Sequence, residues 1–236
     1  SLSGSSAFSV SSNNSAIDVK VNDQSEAKAF NAQISVSSLA QAQTLEFSGF
    51  SSKTAAINLG DIAIDFGSWS DNSFTVNSEK STQSVTVSSA NNTLNGLADS
   101  LSALEGVNAT VTDKGDGTFS LIINSETGAK NALRLSVTEE SGDAGLSTFD
   151  TTSNNASKQV VAAQDASISL NGVTVTRETN VVTDLIDGYE FKLNSTTSSA
   201  ANVSSITDEA VAFATISEFV NTYNSVTSTI ATLTQN

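Results

Sequence analysis

Apolar residues alternate with polar ones along most of this chain. That two-residue period confines it to strands with one buried face. Ile17, Val19 and Val21 alternate with Asp18, Lys20 and Asn22, and Phe30, Ala32, Ile34 and Val36 alternate with polar partners. A polar turn from Asp23 to Lys28 separates the two runs, which predicts an antiparallel hairpin or near neighbours. Leu39-Ala40-Gln41-Ala42-Gln43 then predicts a short irregular or helical turn into a strand from Thr44 to Phe50. Farther on, Ile57, Leu59, Ile62, Ile64 and Phe66 predict a strand pair turning near Gly60-Asp61, with more strand at 73–76 and 84–87. Strands at 107–112 and 118–124 flank Asp113-Lys114-Gly115-Asp116-Gly117, whose glycines supply the positive φ of a tight hairpin. Asn171-Gly172, between alternating runs at 166–170 and 173–176, is the strongest short hairpin signal in the chain.

A few segments follow helical spacing instead. Leu94, Leu97, Ala98, Leu101 and Leu104 predict a short helix with Asn92 as its N-cap and Gly106 just past its end. Val182 to Ile186 predicts a single helical turn before the strand carrying Tyr189, Phe191 and Leu193. The stretches 141–157 and 195–205 are small and polar and read as connections. From Thr207 the period changes for good. Phe213, Ile216, Val220 and Tyr223 step by three, four and three, and Val226, Ile230 and Leu233 continue after a phase slip near Tyr223. At ~1.5 Å per residue, the roughly 28 residues from Thr207 span about 40 Å, too long to pack wholly on a small sheet domain.

Composition removes most chemistry. The chain of 236 residues has no His, Cys or Met, so no Ser-His-Asp or Cys-His nucleophile, no ordinary zinc site and no His, Cys or Met haem ligand is available. Proline is absent where usage of about 5% predicts roughly a dozen, leaving turns to Gly, Asn, Asp and Ser. With 10 basic and 25 acidic residues the net charge is -15, which repels phosphate backbones and anionic lipid. No apolar run approaches the ~18 residues of a membrane span. The start, Ser1-Leu2-Ser3-Gly4, lacks a secretory signal and Met, and the last helical pattern runs to the end, so a piece of a longer protein is expected.

Carboxylates are the remaining titratable groups. Asp113 and Asp116 superficially suggest calcium, but the loop lacks the closing Glu of an EF-hand, and a hairpin turn is the favoured reading. Glu139, Glu140 and Asp143 sit in a polar connection and read as a solvated loop. A glycosidase needs two carboxylates in an aromatic-lined cleft, and Trp69 is the single tryptophan. Trp69, in the loop-like run Gly67 to Asn72, is a candidate surface contact for glycan or protein, with partial burial at a sheet edge the favoured alternative. No catalytic, cofactor or metal residue is assigned, and the chain is read as no enzyme. Phe213, Ile216, Phe219, Val220, Tyr223, Val226, Ile230 and Leu233 are the candidate helix-partner interface, favoured over packing on the chain's own strands.

Two segments carry a family resemblance. Ala163-Gln164-Asp165-Ala166, Asn171-Gly172-Val173, Thr176-Arg177, Asn180, Asp184-Leu185-Ile186, Gly188 and Phe191-Lys192-Leu193 resemble the strand, hairpin, helical turn and strand motif of bacterial flagellar filament-capping proteins, the hook-associated protein 2 family. Ile34-Ser35-Val36 with Leu39 to Gln43 is similar to that family's N-terminal landmark. Asn92-Thr93-Leu94 through Leu101 and Gly106-Val107 with Ala109 resemble the strand, helix and strand repeat of flagellin-related inserts, and Phe219 to Asn224 the helix re-entering the leg; Asp187 stands where the family often has proline. The resemblance implies a mainly β (α+β) fold. One β-rich domain at 1–55 and 153–200 holds an inserted β-rich domain at 56–152, each with a short helix, and 201–236 begins a coiled-coil-like leg helix. It implies a ring-like homo-oligomer at the flagellum tip, secreted, which admits flagellin and guides its folding. Hook-filament junction proteins and mucin or host glycan are further implied partners. A surface adhesin or S-layer-type β-module binding glycan or host protein is the alternative.

Overall fold

Most alternating runs become strands, Ile57 to Leu59 being an exception, and the computed structural model describes residues 8–142, 145–153 and 155–233. In chain order the strands begin with β1 (Phe8–Ser12), β2 (Ile17–Val21), β3 (Phe30–Ser38), β4 (Ala42–Phe50), β5 (Gly60–Ser70), β6 (Ser73–Val76) and β7 (Gln83–Val87). Helix α1 (Leu94–Ser102) is followed by β8 (Val107–Asp113), β9 (Phe119–Thr127), a 3-10 turn (Ala129–Asn131) and β10 (Ala132–Glu139). A second 3-10 turn (Leu146–Phe149), α2 (Asn155–Lys158), β11 (Gln159–Val161), β12 (Ala166–Leu170), β13 (Val173–Arg177), β14 (Val181–Val182), β15 (Tyr189–Leu193), β16 (Ala201–Thr207) and α3 (Glu209–Leu233) complete the described chain. No described helix is long and apolar enough to cross a membrane.

The chain divides into two compact units, one of residues 38–167 with 176–179, the other holding the remaining described residues. In the latter, a sheet ordered β1-β16-β3-β12-β13 faces a smaller one ordered β14-β15-β2. The ring of Phe30 on β3 meets Tyr189 edge-on at 4.8 Å and Phe191 at 6.3 Å, so aromatic contacts join the two sheets. Tyr189 is fully buried, and its hydroxyl reaches the Lys28 carbonyl at 2.9 Å and the Ser205 hydroxyl at 2.7 Å. A buried phenol costs little only when its O–H is paired in this way.

The unit of residues 38–167 is built on two sheets, β10-β5-β6 with β7 also on β5, and β11-β4-β9-β8. Its core collects Leu45 and Phe47 of β4, Ile62, Ile64 and Phe66 of β5, Leu121 and Ile123 of β9, and Leu133 and Leu135 of β10. Helix α1 adds Leu94, Leu97, Ala98 and Leu101, its entire apolar face, to that core. The N-cap is Thr93 rather than Asn92, with the Gly96 N–H donating to Thr93 Oγ1 at 3.0 Å. A β-branched hydroxyl one residue nearer the helix makes the closer acceptor.

Several expectations change in the structure, each because pairing is set by partners distant in sequence. β2 and β3 form no hairpin: β2 pairs with β15, placing Ile17 opposite Leu193, and β3 pairs with β16. Residues 201–205 are no linker. They begin β16, an interior strand between β1 and β3, with Ala201, Val203 and Ser205 buried, side chains too small to stand out as an apolar run. Val182 to Ile186 makes no helical turn; β14 ends at Val182 and bends follow. Gly60 to Ser70 is one continuous strand, and 141–157 contains a 3-10 turn whose Leu146 and Phe149 enter the core. The main unit boundaries fall at 37/38 and 167/168, with 176–179 returning briefly to the 38–167 unit, and not at 55/56 and 152/153, because β4 pairs with β9 and β11.

The two hairpins expected from glycine chemistry form as read. Asn171 and Gly172 take φ of 50° and 87°, positive at both central positions as the two-residue primed turn requires. Asn171 Oδ1 also accepts from the Gln33 N–H at 2.8 Å, which fastens the turn to β3. In the β8–β9 hairpin, Asp113 Oδ1 accepts the Gly115 N–H and Asp116 Oδ1 accepts from both Thr118 N–H and Oγ1.

Candidate protein-interaction site

Helix α3 presents its apolar residues at heptad spacing. With ~100° per residue, Ile216, Tyr223 and Ile230 fall in one row, Phe219, Val226 and Leu233 in a second, and Phe213 and Val220 in a third, covering an arc of about 160°. These are a, d and e positions of one unbroken register. The apparent slip near Tyr223 disappears once Phe219 is counted, because Phe213 and Val220 belong to the flanking e row. Seven of these side chains are exposed, from 46% at Val220 to 72% at Phe213. Leu233 ends the helix, and its side chain lies outside the described residues.

The other face of α3 is nearly uncharged. Thr222, Thr227 and Thr229 turn their hydroxyls back onto the carbonyls of Glu218, Tyr223 and Ser225, each at 2.9 Å. These polar groups are satisfied within the helix and ask nothing of a neighbour. The many β-branched residues lower intrinsic helix propensity, so tertiary packing on the apolar rows is the natural source of stability for this helix.

Trp69 lies not in a loop but near the end of β5, half-buried, opposite Phe74 of β6. Its Nε1–H donates to the Leu133 carbonyl at 3.0 Å, and its ring stands 4.9 Å from that of Phe74. Phe74 in turn covers Gly67, where a Cβ would collide with the Phe74 ring and the Thr75 carbonyl. The Arg134 guanidinium sits 4.8 Å from the same ring and donates through Nε and Nη2 to Asp65 Oδ2 at 3.1 and 2.7 Å. Burial pushes the Asp65 carboxyl up. The Thr82 hydroxyl and the Arg134 guanidinium outweigh it and hold the group below its ordinary value.

The acidic residues weighed for calcium have local duties. Asp113 and Asp116 brace their hairpin, and Glu139 Oε1 accepts the N–H groups of Gly145 and Ser147 at 2.7 and 2.8 Å. Glu140 is exposed, and Asp143 lies outside the described residues. Among the described residues no three His, Cys, Asp or Glu side chains cluster as metal ligands.

Sequence reading passed over the role of Gln43, which is fully buried. Its Oε1 accepts the Leu133 N–H at 2.7 Å, while its Nε2 donates to Asn155 Oδ1 at 3.2 Å and Gln159 Oε1 at 2.7 Å. The Asn155 Nδ2 donates to the same Gln159 oxygen. The two landmark segments meet here. Gln41 and Gln164 exchange both backbone hydrogen bonds, at 2.9 and 3.1 Å, and Gln164 Nε2 donates to the Leu39 carbonyl at 2.8 Å. Asp165 Oδ1 accepts the Ala129 N–H at 2.7 Å. A run of alternating alanine and glutamine carries no strong periodic signal. Only the density of amides in so short a span hinted at a shared polar junction.

Comparison with known proteins agrees with these landmarks. Residues 163–236 match the family described as flagellar hook-associated protein 2 C-terminus. The flagellar hook-associated protein 2 of Escherichia coli O157:H7 is 31% identical over 210 residues, covering 86% of this chain and 43% of that protein. The chain thus spans less than half the length of that curated relative. The crystal structure of the flagellar cap protein FliD D1-D2-D3 domains from Escherichia coli superposes with a TM-score of 0.79 at 30% identity, covering 96% of this chain and 65% of that one. The crystal structure of the D2-D3 domains of the same protein superposes with a TM-score of 0.70 at 29% identity, covering 86% of this chain and 100% of that one. With the paired glutamine landmarks and the antiparallel sheets already in place, this chain belongs to the flagellar hook-associated protein 2 family.

Proposed function

We propose that this chain is part of a cap at the distal end of a bacterial flagellar filament, and that α3 is one strand of a helical leg that packs against a partner helix. The observation that carries this reading is the unbroken a, d and e register of exposed apolar side chains on α3. Burying seven such side chains makes on the order of 10 kcal/mol of apolar transfer available, before the costs of association. Exposed to water, the same rows are a liability that a soluble protein does not carry without use. The relatives named hook-associated protein 2 and the solved flagellar cap proteins supply the context, and the match that includes a D1 domain covers more of this chain than the D2-D3 match does.

On this reading several copies form a plate of β-rich units with legs directed at the filament, and flagellin passing beneath is guided into place. The work is mechanical and uses no catalytic side chain. The test is a chromosomal substitution of the central row, Ile216→Ala, Tyr223→Ala and Ile230→Ala together, which keeps helix propensity while removing apolar bulk. The expected outcome is loss of filaments with monomeric flagellin released into the medium. The purified variant should keep its β-sheet circular dichroism, since these side chains take no part in either core. Filaments of normal length from the triple variant would refute the reading.

A further inference from the structure

Beside Trp69 the surface of the 38–167 unit opens into a groove of about 290 Å³, lined in part by Trp69, Asp71, Asn155, Gln159, Ala132 and Ala156. Three of its polar groups are already committed. The indole N–H is given to the Leu133 carbonyl, the Asn155 carbonyl oxygen takes the Gln43 amide, and the Gln159 carbonyl oxygen takes the Gln43 and Asn155 amides. A sugar needs converging free donors and acceptors, and these commitments leave few. What remains open is the indole surface, an alanine-lined floor and the Asp71 carboxylate, which is exposed and has no ion-pair partner among the described residues. Asp71 is the charged residue of the lining, on a chain of net charge -15.

An aromatic wall, an apolar floor for an alkyl stem and a carboxylate at the rim are the elements that receive a basic side chain. We propose that this groove is a docking site for a lysine or arginine side chain of a protein partner, with the stem along the alanines, the cation at Trp69 and the charge met by Asp71. The inference is independent of the helical leg and of the cap reading.

Trp69 is the one tryptophan, so indole emission, excited at the red edge of the band where the two tyrosines do not absorb, reports this groove. The probes are the peptide acetyl-Gly-Lys-Gly-amide, its Nε-acetylated counterpart, and the neutral sugar N-acetyllactosamine. The expected result is a saturable change with the lysine peptide at about millimolar concentration, weakened by salt and absent with the acetylated peptide. Asp71→Asn should weaken it by about threefold or more. Asn tolerates the φ of 51° at this turn, so the variant keeps the hairpin and the probe. No response to the lysine peptide up to about 50 mM, an equal response to the acetylated peptide, insensitivity to Asp71→Asn, or saturation by the sugar instead would each overturn the proposal.

Discussion

At the scale of single residues, the side chains that organise the 38–167 unit are polar. Gln43 is buried with no exposure, yet both ends of its amide are paired, so it joins β4 to β10 and to the segment carrying Asn155 and Gln159. Truncating it strands the Leu133 N–H and the Asn155 Oδ1 inside a low-dielectric pocket and removes one of the two donors to the Gln159 oxygen, a larger loss than the bonds themselves are worth. Gln43→Ala should lower unfolding free energy by about 2–4 kcal/mol, read from urea denaturation with the slope unchanged. A loss below about 0.5 kcal/mol would mean that water replaces the amide at no cost. Trp69 shows the converse. The sequence favours partial burial at a sheet edge over an exposed platform, and the indole N–H and one edge are indeed spent within the sheet, while the remaining ring surface faces the groove.

At the scale of elements, the sequence showed local order well and pairing poorly. Period-2 runs and the Asn171-Gly172 and Asp113-to-Gly117 turns produced the strands and hairpins they announced, because both signals act within ten residues. Interior strand β16 was illegible: Ala201, Val203 and Ser205 alternate correctly but are small, and the partners β1 and β3 lie far away in sequence. The heptad on α3 was legible except for its phase, since Phe219 was left out of the count. One element contact is open to a direct pH test. Glu46 on β4 accepts from Lys114 Nζ at 2.6 Å and Ser120 Oγ at 2.8 Å, tying the β8–β9 hairpin down, and these bonds, Lys114 first, hold its carboxyl below the ordinary value. The contribution is present in full above the ordinary glutamate value of 4.5, where both states are ionised. It is lost as pH falls through that value to the lowered native one, because the unfolded chain takes up the proton first. Glu46→Gln should therefore flatten the acid limb of stability against pH and leave the slope between about pH 6 and 8 unchanged. A parallel acid limb in the variant would show that the ion pair does not couple hairpin to strand.

At the scale of the whole molecule, two surfaces of opposite character share one chain. The β-rich units bury or half-bury their aromatic residues and expose hydroxyls and carboxylates, while α3 exposes the apolar residues a globular unit would bury. The two tyrosines divide along the same line: Tyr189 is 0% exposed and hydrogen-bonded twice, and Tyr223 is 63% exposed in the central row of the seam. Nitration with tetranitromethane followed by peptide mass spectrometry should therefore modify Tyr223 and spare Tyr189 in the isolated chain. If the seam is an interface, the assembled protein should lose Tyr223 reactivity by about tenfold or more, as expected when an exposed ring enters a packed core. Tyr189 would remain unreactive in both states and serves as the internal standard for folding. Undiminished nitration of Tyr223 in the assembled protein would exclude the seam as the interface, and equal nitration of both tyrosines in the isolated chain would contradict the buried position of Tyr189 itself.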